Sequence, residues 1–137
     1  MPMPKQTLEA KLLKRIERKR SDVFLRADFE DLADYDQVGR GLRKLIRNGH
    51  LIKIGMGLYT RAGTSPFNGR PAPIKGLRTL TVEALGRLGV ETRPTRLERA
   101  YNAGETTQVP AGRVVAVTKR VRRKIGFDGN YIRFERG

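Results

Sequence analysis

The sequence predicts an α+β protein in two parts, and three observations carry that prediction. The first half alternates amphipathic helical patterns with short β-branched runs. A Gly- and Pro-rich stretch interrupts the chain near its middle. Beyond it, two more helical patterns precede runs such as Arg113-Val114-Val115-Ala116-Val117-Thr118, which have the character of strand.

Residues 1–4 (Met-Pro-Met-Pro) are expected to be disordered. A first helix is predicted over residues 7–20, with Leu8, Leu12, Leu13 and Ile16 as its apolar stripe and Lys11, Lys14, Arg15, Arg18, Lys19 and Arg20 around the rest. Asp22-Val23-Phe24-Leu25-Arg26 reads as a short strand. Residues 27–33 read as a short acidic helix burying Phe29 and Leu32. The best-marked helix follows, over residues 34–49. Asp34 is its cap, with Gln37 placed to close a capping box, and Asn48-Gly49 is a left-handed stop. At about 100° per residue, Val38, Leu42, Leu45 and Ile46 share one side. Arg40, Lys44 and Arg47 share the other, flanked by Asp36, Gln37 and Arg43.

After Gly49 the period changes from helix to strand. Leu51-Ile52-Lys53-Ile54, a Gly55-Met56-Gly57 turn and Leu58-Tyr59-Thr60 make a hairpin. A free hairpin is marginal in water, so it must pack on the helices or pair with the strand near Phe24. Helix, strand, helix, helix, hairpin is the order of a winged helix-turn-helix, with the hairpin as wing. The composition of residues 63–76 is expected to sustain neither helix nor strand, making a linker between a domain over 1–62 and one over 77–137. In the second part, helices are predicted over residues 77–88, ended by Gly89, and 95–103, ended by Gly104. Strands are predicted over 113–118, 122–127 and 131–134, the last two joined by Asp128-Gly129-Asn130. The whole reads as an N-terminal winged helix-turn-helix followed by a small subdomain of helices and antiparallel sheet.

The composition narrows the function. Against 14 Asp and Glu stand 29 Lys and Arg, a formal charge of +15, which points to a polyanionic partner, nucleic acid ahead of an anionic membrane. No apolar run approaches the roughly 20 residues of a membrane span, and no signal peptide is recognised, so a cytoplasmic protein is expected. Without cysteine there is no disulfide or thiolate metal site. The single His50, the isolated Ser21 and Ser65, and the lack of a phosphate loop give catalysis no foothold, and no cofactor is expected. Residues 1–60 hold 13 basic and 8 acidic side chains, net +5; residues 61–137 hold 16 and 6, net +10. The excess in the second half gathers in Lys119, Arg120, Arg122, Arg123 and Lys124, a basic patch suited to phosphate or to a solvated loop.

A short helix, apolar on one side and cationic on the other, suits the major groove of DNA, although a solvated surface helix looks the same. On the groove reading, Gln37, Arg40 and Lys44 would address base edges. Lys14, Arg18, Arg43 and Arg47, with Lys53 and Arg61 of the wing, would hold phosphate. Removing one good base contact then costs about 1–3 kcal/mol at one position of the site.

Three segments together resemble the AbiEi-type antitoxin family, regulators of type IV toxin-antitoxin systems with an N-terminal winged helix. They are Val23-Phe24 through Asp28-Phe29 with Asp34 to Gly49, the Leu51 to Tyr59 hairpin ending Gly57-Leu58-Tyr59, and Thr106-Thr107-Gln108-Val109-Pro110-Ala111 followed by a strand and basic hairpin. The chain departs from the pattern at Met56, where an arginine is common, and in its shorter second half. The resemblance implies a bacterial, nucleoid-associated regulator that binds operator repeats on double-stranded DNA before its own operon. It also implies a functional link to a nucleotidyltransferase-like toxin. No coiled-coil seam is evident, so a monomer or weak dimer assembling on DNA is expected. Two other classes fit the charge: an RNA-binding or ribosome-associated accessory protein, and a basic module holding an acidic toxin.

Overall fold

The structure, a computed structural model, describes residues 7–110 and 112–137. The expected disorder at residues 1–4, and Ala111 of the Gln-Val-Pro run, lie outside the described residues. The chain divides into two units, the first ending at Ile74 and the second beginning at Lys75.

In the first unit, helix α1 spans Leu8–Arg18, with the Thr7 hydroxyl accepting the Ala10 amide at 3.2 Å. It ends before the expected Arg20 because Lys19 turns extended. Strand β1 is Val23–Leu25. Where an acidic helix was expected, only one 3-10 turn forms, over Arg26–Phe29. The Asp28 carboxylate closes it by accepting the Leu25 amide at 2.9 Å, side-chain competition of the kind that disfavours a longer helix. Phe29 is nonetheless fully buried, as its spacing predicted.

Helix α2 is Tyr35–Arg47, with Asp34 Oδ1 accepting the Gln37 amide at 2.8 Å. Its stop is the glycine-based one expected. Gly49 adopts φ +80°, the Gly49 amide bonds the Ile46 carbonyl at 3.1 Å and the His50 amide bonds the Leu45 carbonyl at 2.9 Å. Strands β2, Leu51–Gly55, and β3, Leu58–Thr64, form the hairpin, and Gly57 supplies the positive φ at its tip. The hairpin is supported as physical reasoning required: β1 pairs antiparallel with β3, Phe24 opposite Tyr59. Leu12 and Ile16 of α1, Phe24, Phe29, Val38, Leu42 and Leu45 of α2, Leu51 and Tyr59 make one core. Gly41 lets α1 approach α2: a Cβ there would fall 2.6 Å from Leu12 Cδ1.

The expected linker over 63–76 requires correction. Strand β3 continues to Thr64, and Pro71–Pro73 forms strand β4 against it, with Ala62 opposite Pro73 and Thr64 opposite Pro71. The bonded positions of this ladder are marked by the Ile74 amide on the Arg61 carbonyl and the Ser65 amide on the Arg70 carbonyl. Both prolines therefore occupy the positions between, where a strand N–H points outward and its loss costs nothing.

In the second unit, α3 is Leu77–Arg87, β5 Thr92–Arg93, α4 Arg96–Asn102 and β6 Val114–Val117; β7 Gly126–Phe127, β8 Asn130–Tyr131 and β9 Arg133–Arg136 follow. Gly89 and Gly104 stop α3 and α4 at positive φ, as expected. The sheet is not the antiparallel one predicted. Its order is β5-β6-β9, and β9 lies parallel to β6, while β7 and β8 form a separate hairpin. The expected strand over 131–134 is thus two strands with different partners, divided at buried Ile132. The expected strand over 122–127 shrinks to Gly126–Phe127, because residues 119–125 have no ladder partner. Asp128 (φ +52°) and Gly129 (φ +78°) make the two-residue turn with both central φ positive that matches strand twist. Arg78 ties the unit together, its Nη2 on Glu98 Oε1 at 2.6 Å and its Nε on the Val114 carbonyl at 3.3 Å.

Candidate nucleic-acid interface

Burying Val38, Leu42 and Leu45 forces the opposite side of α2 outward. Gln37, Arg40, Arg43, Lys44 and Arg47 are all exposed. Among the described residues, Arg40, Arg43 and Arg47 carry no ion pair. Lys44 differs from expectation: its Nζ lies 3.0 Å from Glu9 Oε1 of α1. The Glu9 carboxyl sits below the usual range, through its own backbone hydrogen bond first and Lys44 second. Lys44 keeps 56% of its side chain exposed, and a surface pair of this kind contributes at most about 1 kcal/mol.

Three depressions adjoin along this face. One of about 550 Å³ lies beside Lys11, Lys14, Arg15 and Arg18 of α1. The next, about 620 Å³, shares Lys11 and runs between the helices to Gln37, Arg40 and Lys44. The third, about 330 Å³, shares Arg40 and is completed by Arg26, Tyr35, Asp36 and Arg43. Lys14 and Arg18 are exposed as predicted. Arg15 is instead clasped to Asp31, whose carboxyl the guanidinium holds below the usual carboxylate range.

The wing assignments divide. Lys53 is exposed on β2. Arg61, expected at phosphate, acts within the unit as a clamp: its Nε lies 3.2 Å from Asp22 Oδ1, a guanidinium nitrogen bonds the Lys19 carbonyl, and Cζ sits 5.1 Å from the Phe24 ring centroid. Two of its three nitrogens are thereby engaged within the unit, and 23% of the side chain stays exposed. Met56 stands at the hairpin tip, 83% exposed.

Lys119, Arg120, Arg122, Arg123 and Lys124 are all exposed on one segment outside regular structure, held by half-buried Val121 and buried Ile125. Lys124 Nζ lies 5.8 Å from the Tyr131 ring centroid.

Sequence reasoning missed Arg26. It opens the 3-10 turn that follows β1, and its guanidinium lies over Tyr35 with Cζ 3.6 Å from the ring centroid. A Cβ at Gly39 would collide with that guanidinium. Two glycines inside an amphipathic helix were the available signal, since each costs about 1 kcal/mol relative to alanine and calls for a close neighbour.

Among the described residues no group of three or more His, Asp or Glu is placed to hold a metal ion, and no helix is long and apolar enough to cross a membrane. Comparison of the chain with protein-family models, curated proteins and solved structures finds no match.

Proposed function

We propose that residues 7–74 are a winged helix-turn-helix head that binds duplex DNA with α2 in the major groove. The observation that carries this is the exposed, unpaired row Arg40, Arg43 and Arg47 opposite a fully buried apolar stripe on a capped helix of 13 residues. The order of α1, β1, the 3-10 turn, α2 and the β2–β3 hairpin supports it, with the middle helix reduced to one turn. Gln37 and Arg40 are the base-reading groups, glutamine suiting adenine and arginine guanine. Lys44 joins them on exchanging Glu9. Lys14, Arg18, Arg43, Arg47 and Lys53 hold backbone phosphates, and the 119–124 segment adds sequence-independent contacts from the second unit. The chain is thereby an operator-binding regulator without enzymatic activity. Its resemblance to the AbiEi-type family makes it an autoregulating antitoxin linked to a nucleotidyltransferase-like toxin.

The test is selection of a preferred site from a randomised duplex pool, followed by anisotropy titration of single-base variants. Wild type loses about 1–3 kcal/mol at one guanine, and Arg40→Ala loses that discrimination while keeping general affinity. Undiminished discrimination by Arg40→Ala refutes the assigned face. Preference for RNA over duplex in competition refutes the DNA reading.

A further inference from the structure

Arg26 is a cation with unusual surroundings. Its Nη2 donates to the Tyr35 carbonyl at 2.5 Å, its plane covers one face of the Tyr35 ring, and its Nε is buried without a hydrogen-bond partner. No carboxylate pairs with it among the described residues. An arginine normally meets its donors with carboxylate, carbonyl or water, and a buried unmatched donor calls for a specific explanation. The fixing of this side chain is elaborate: the Arg26 amide bonds the Gly57 carbonyl at 3.2 Å, and a bare Gly39 leaves room for the guanidinium. Tyr35, the first residue of α2, remains 71% exposed.

Arg26 lines the same depression as Arg40 and Arg43, with Tyr35 beside them and Asp36 as the only carboxylate. Three guanidinium groups against one acid leave a local excess of two positive charges, in a space of about 330 Å³. With Nη2 on the Tyr35 carbonyl and Nε buried, Nη1 is the Arg26 nitrogen left to donate to a phosphate oxygen, and the Tyr35 ring beside the guanidinium fixes where it stands.

We propose that Arg26 and Arg43, with Tyr35 beside them and Arg40 at the rim, form a seat for one phosphate group. Only the identity of the occupant rests on the DNA reading. In duplex DNA the occupant is a backbone phosphate at the N-terminal end of α2, and its capture sets how far the helix enters the groove. The same chemistry also accepts a free phosphate or a nucleotide phosphate. Arg26 is on this account a fixed anchor, whereas Arg40 swings between the seat and a base edge.

The experiment uses the full chain. The arginine Nε–H resonances are recorded in wild type, with that of Arg26 assigned by its loss in Arg26→Gln, during titration with inorganic phosphate and with a 20-base-pair duplex. In parallel, duplex affinity is measured against salt for wild type, Arg26→Gln and Arg26→Lys. Expected are movement of the Arg26 resonance with both probes, about tenfold weaker duplex binding by Arg26→Gln, and a salt slope lower by about 0.9. Arg26→Lys restores the slope but not the affinity, because it keeps the charge and loses the planar group held over Tyr35. Movement with phosphate in a chain that binds no duplex leaves the seat standing, assigns it to free phosphate or nucleotide, and removes the DNA reading. Duplex binding by a folded Arg26→Gln equal to wild type, with an unmoved Arg26 resonance, overturns the seat and leaves the DNA reading intact. If Arg26→Gln fails to fold, loss of the same resonance in Arg26→Lys assigns it, and its movement or stillness in wild type decides the matter.

Discussion

Replacing Arg43 and Arg47 together by alanine gives a prediction whose size follows from the structure. Both are exposed, and neither is held in an ion pair, so each is free to displace a counterion from DNA. Each phosphate contact adds about 0.9 to the steepness of log affinity against log salt. Losing two lowers that steepness by about 1.8, whatever the remaining contacts contribute. Between 50 and 200 mM salt, a fourfold change, the affinity drop of the variant is then about twelvefold smaller than that of wild type. Anisotropy with a labelled random-sequence duplex, titrated at four salt concentrations, measures it. Because neither side chain is part of the core, thermal unfolding of the variant stays near wild type. An unchanged slope in a folded variant means α2 does not face the phosphates, and the DNA reading falls with it. Arg61→Ala is the internal control. It breaks a clamp on Asp22, the Lys19 carbonyl and Phe24, so it lowers the unfolding temperature and leaves the slope alone.

Three further outcomes are expected. Arg120, Arg122 and Lys124 changed to alanine lower the salt slope of the full chain by up to about 2.7 without altering preference between sites, which salt titrations on two duplexes will show. Leu42→Ala empties a fully buried position and costs about 2–5 kcal/mol, measured by urea unfolding followed by circular dichroism. The Arg15–Asp31 clasp gives an acid-side signature. The Asp31 carboxyl titrates lower folded than unfolded, so its contribution is complete above about pH 4 and disappears as pH falls through the folded value. Wild type should therefore exceed Asp31→Asn in unfolding temperature near neutrality, with the gap closing in acid; a gap constant down to pH 2 contradicts the clasp.

What the residues announce and what they hide differ for physical reasons. Helix α2 was legible from Asp34 to Gly49 because its start, stripe and stop are each local chemistry. The glycine stops of α3 and α4 were legible on the same ground. Strand β4 was hidden because prolines usually forbid strand, and only the ladder reveals that Pro71 and Pro73 fall between its bonds. The parallel pairing of β6 with β9 was hidden because alternation of side chains says nothing of direction. The same asymmetry governs the site. Exposure of Gln37, Arg40, Arg43 and Arg47 follows from helical period, whereas the partners of Lys44 and Arg61, Glu9 and Asp22, are distant in sequence. The placement of Arg26 was hidden because it depends on a ring nine residues away and on the missing side chain of Gly39.

The prolines of β4 have a further consequence wherever copies of the chain meet at high concentration. An outer strand normally offers a row of amide protons to any passing β segment. Here two outward positions, Pro71 and Pro73, carry none. Crowded copies thus find that margin of the sheet mute, and local concentration does not turn into strand-to-strand fusion there.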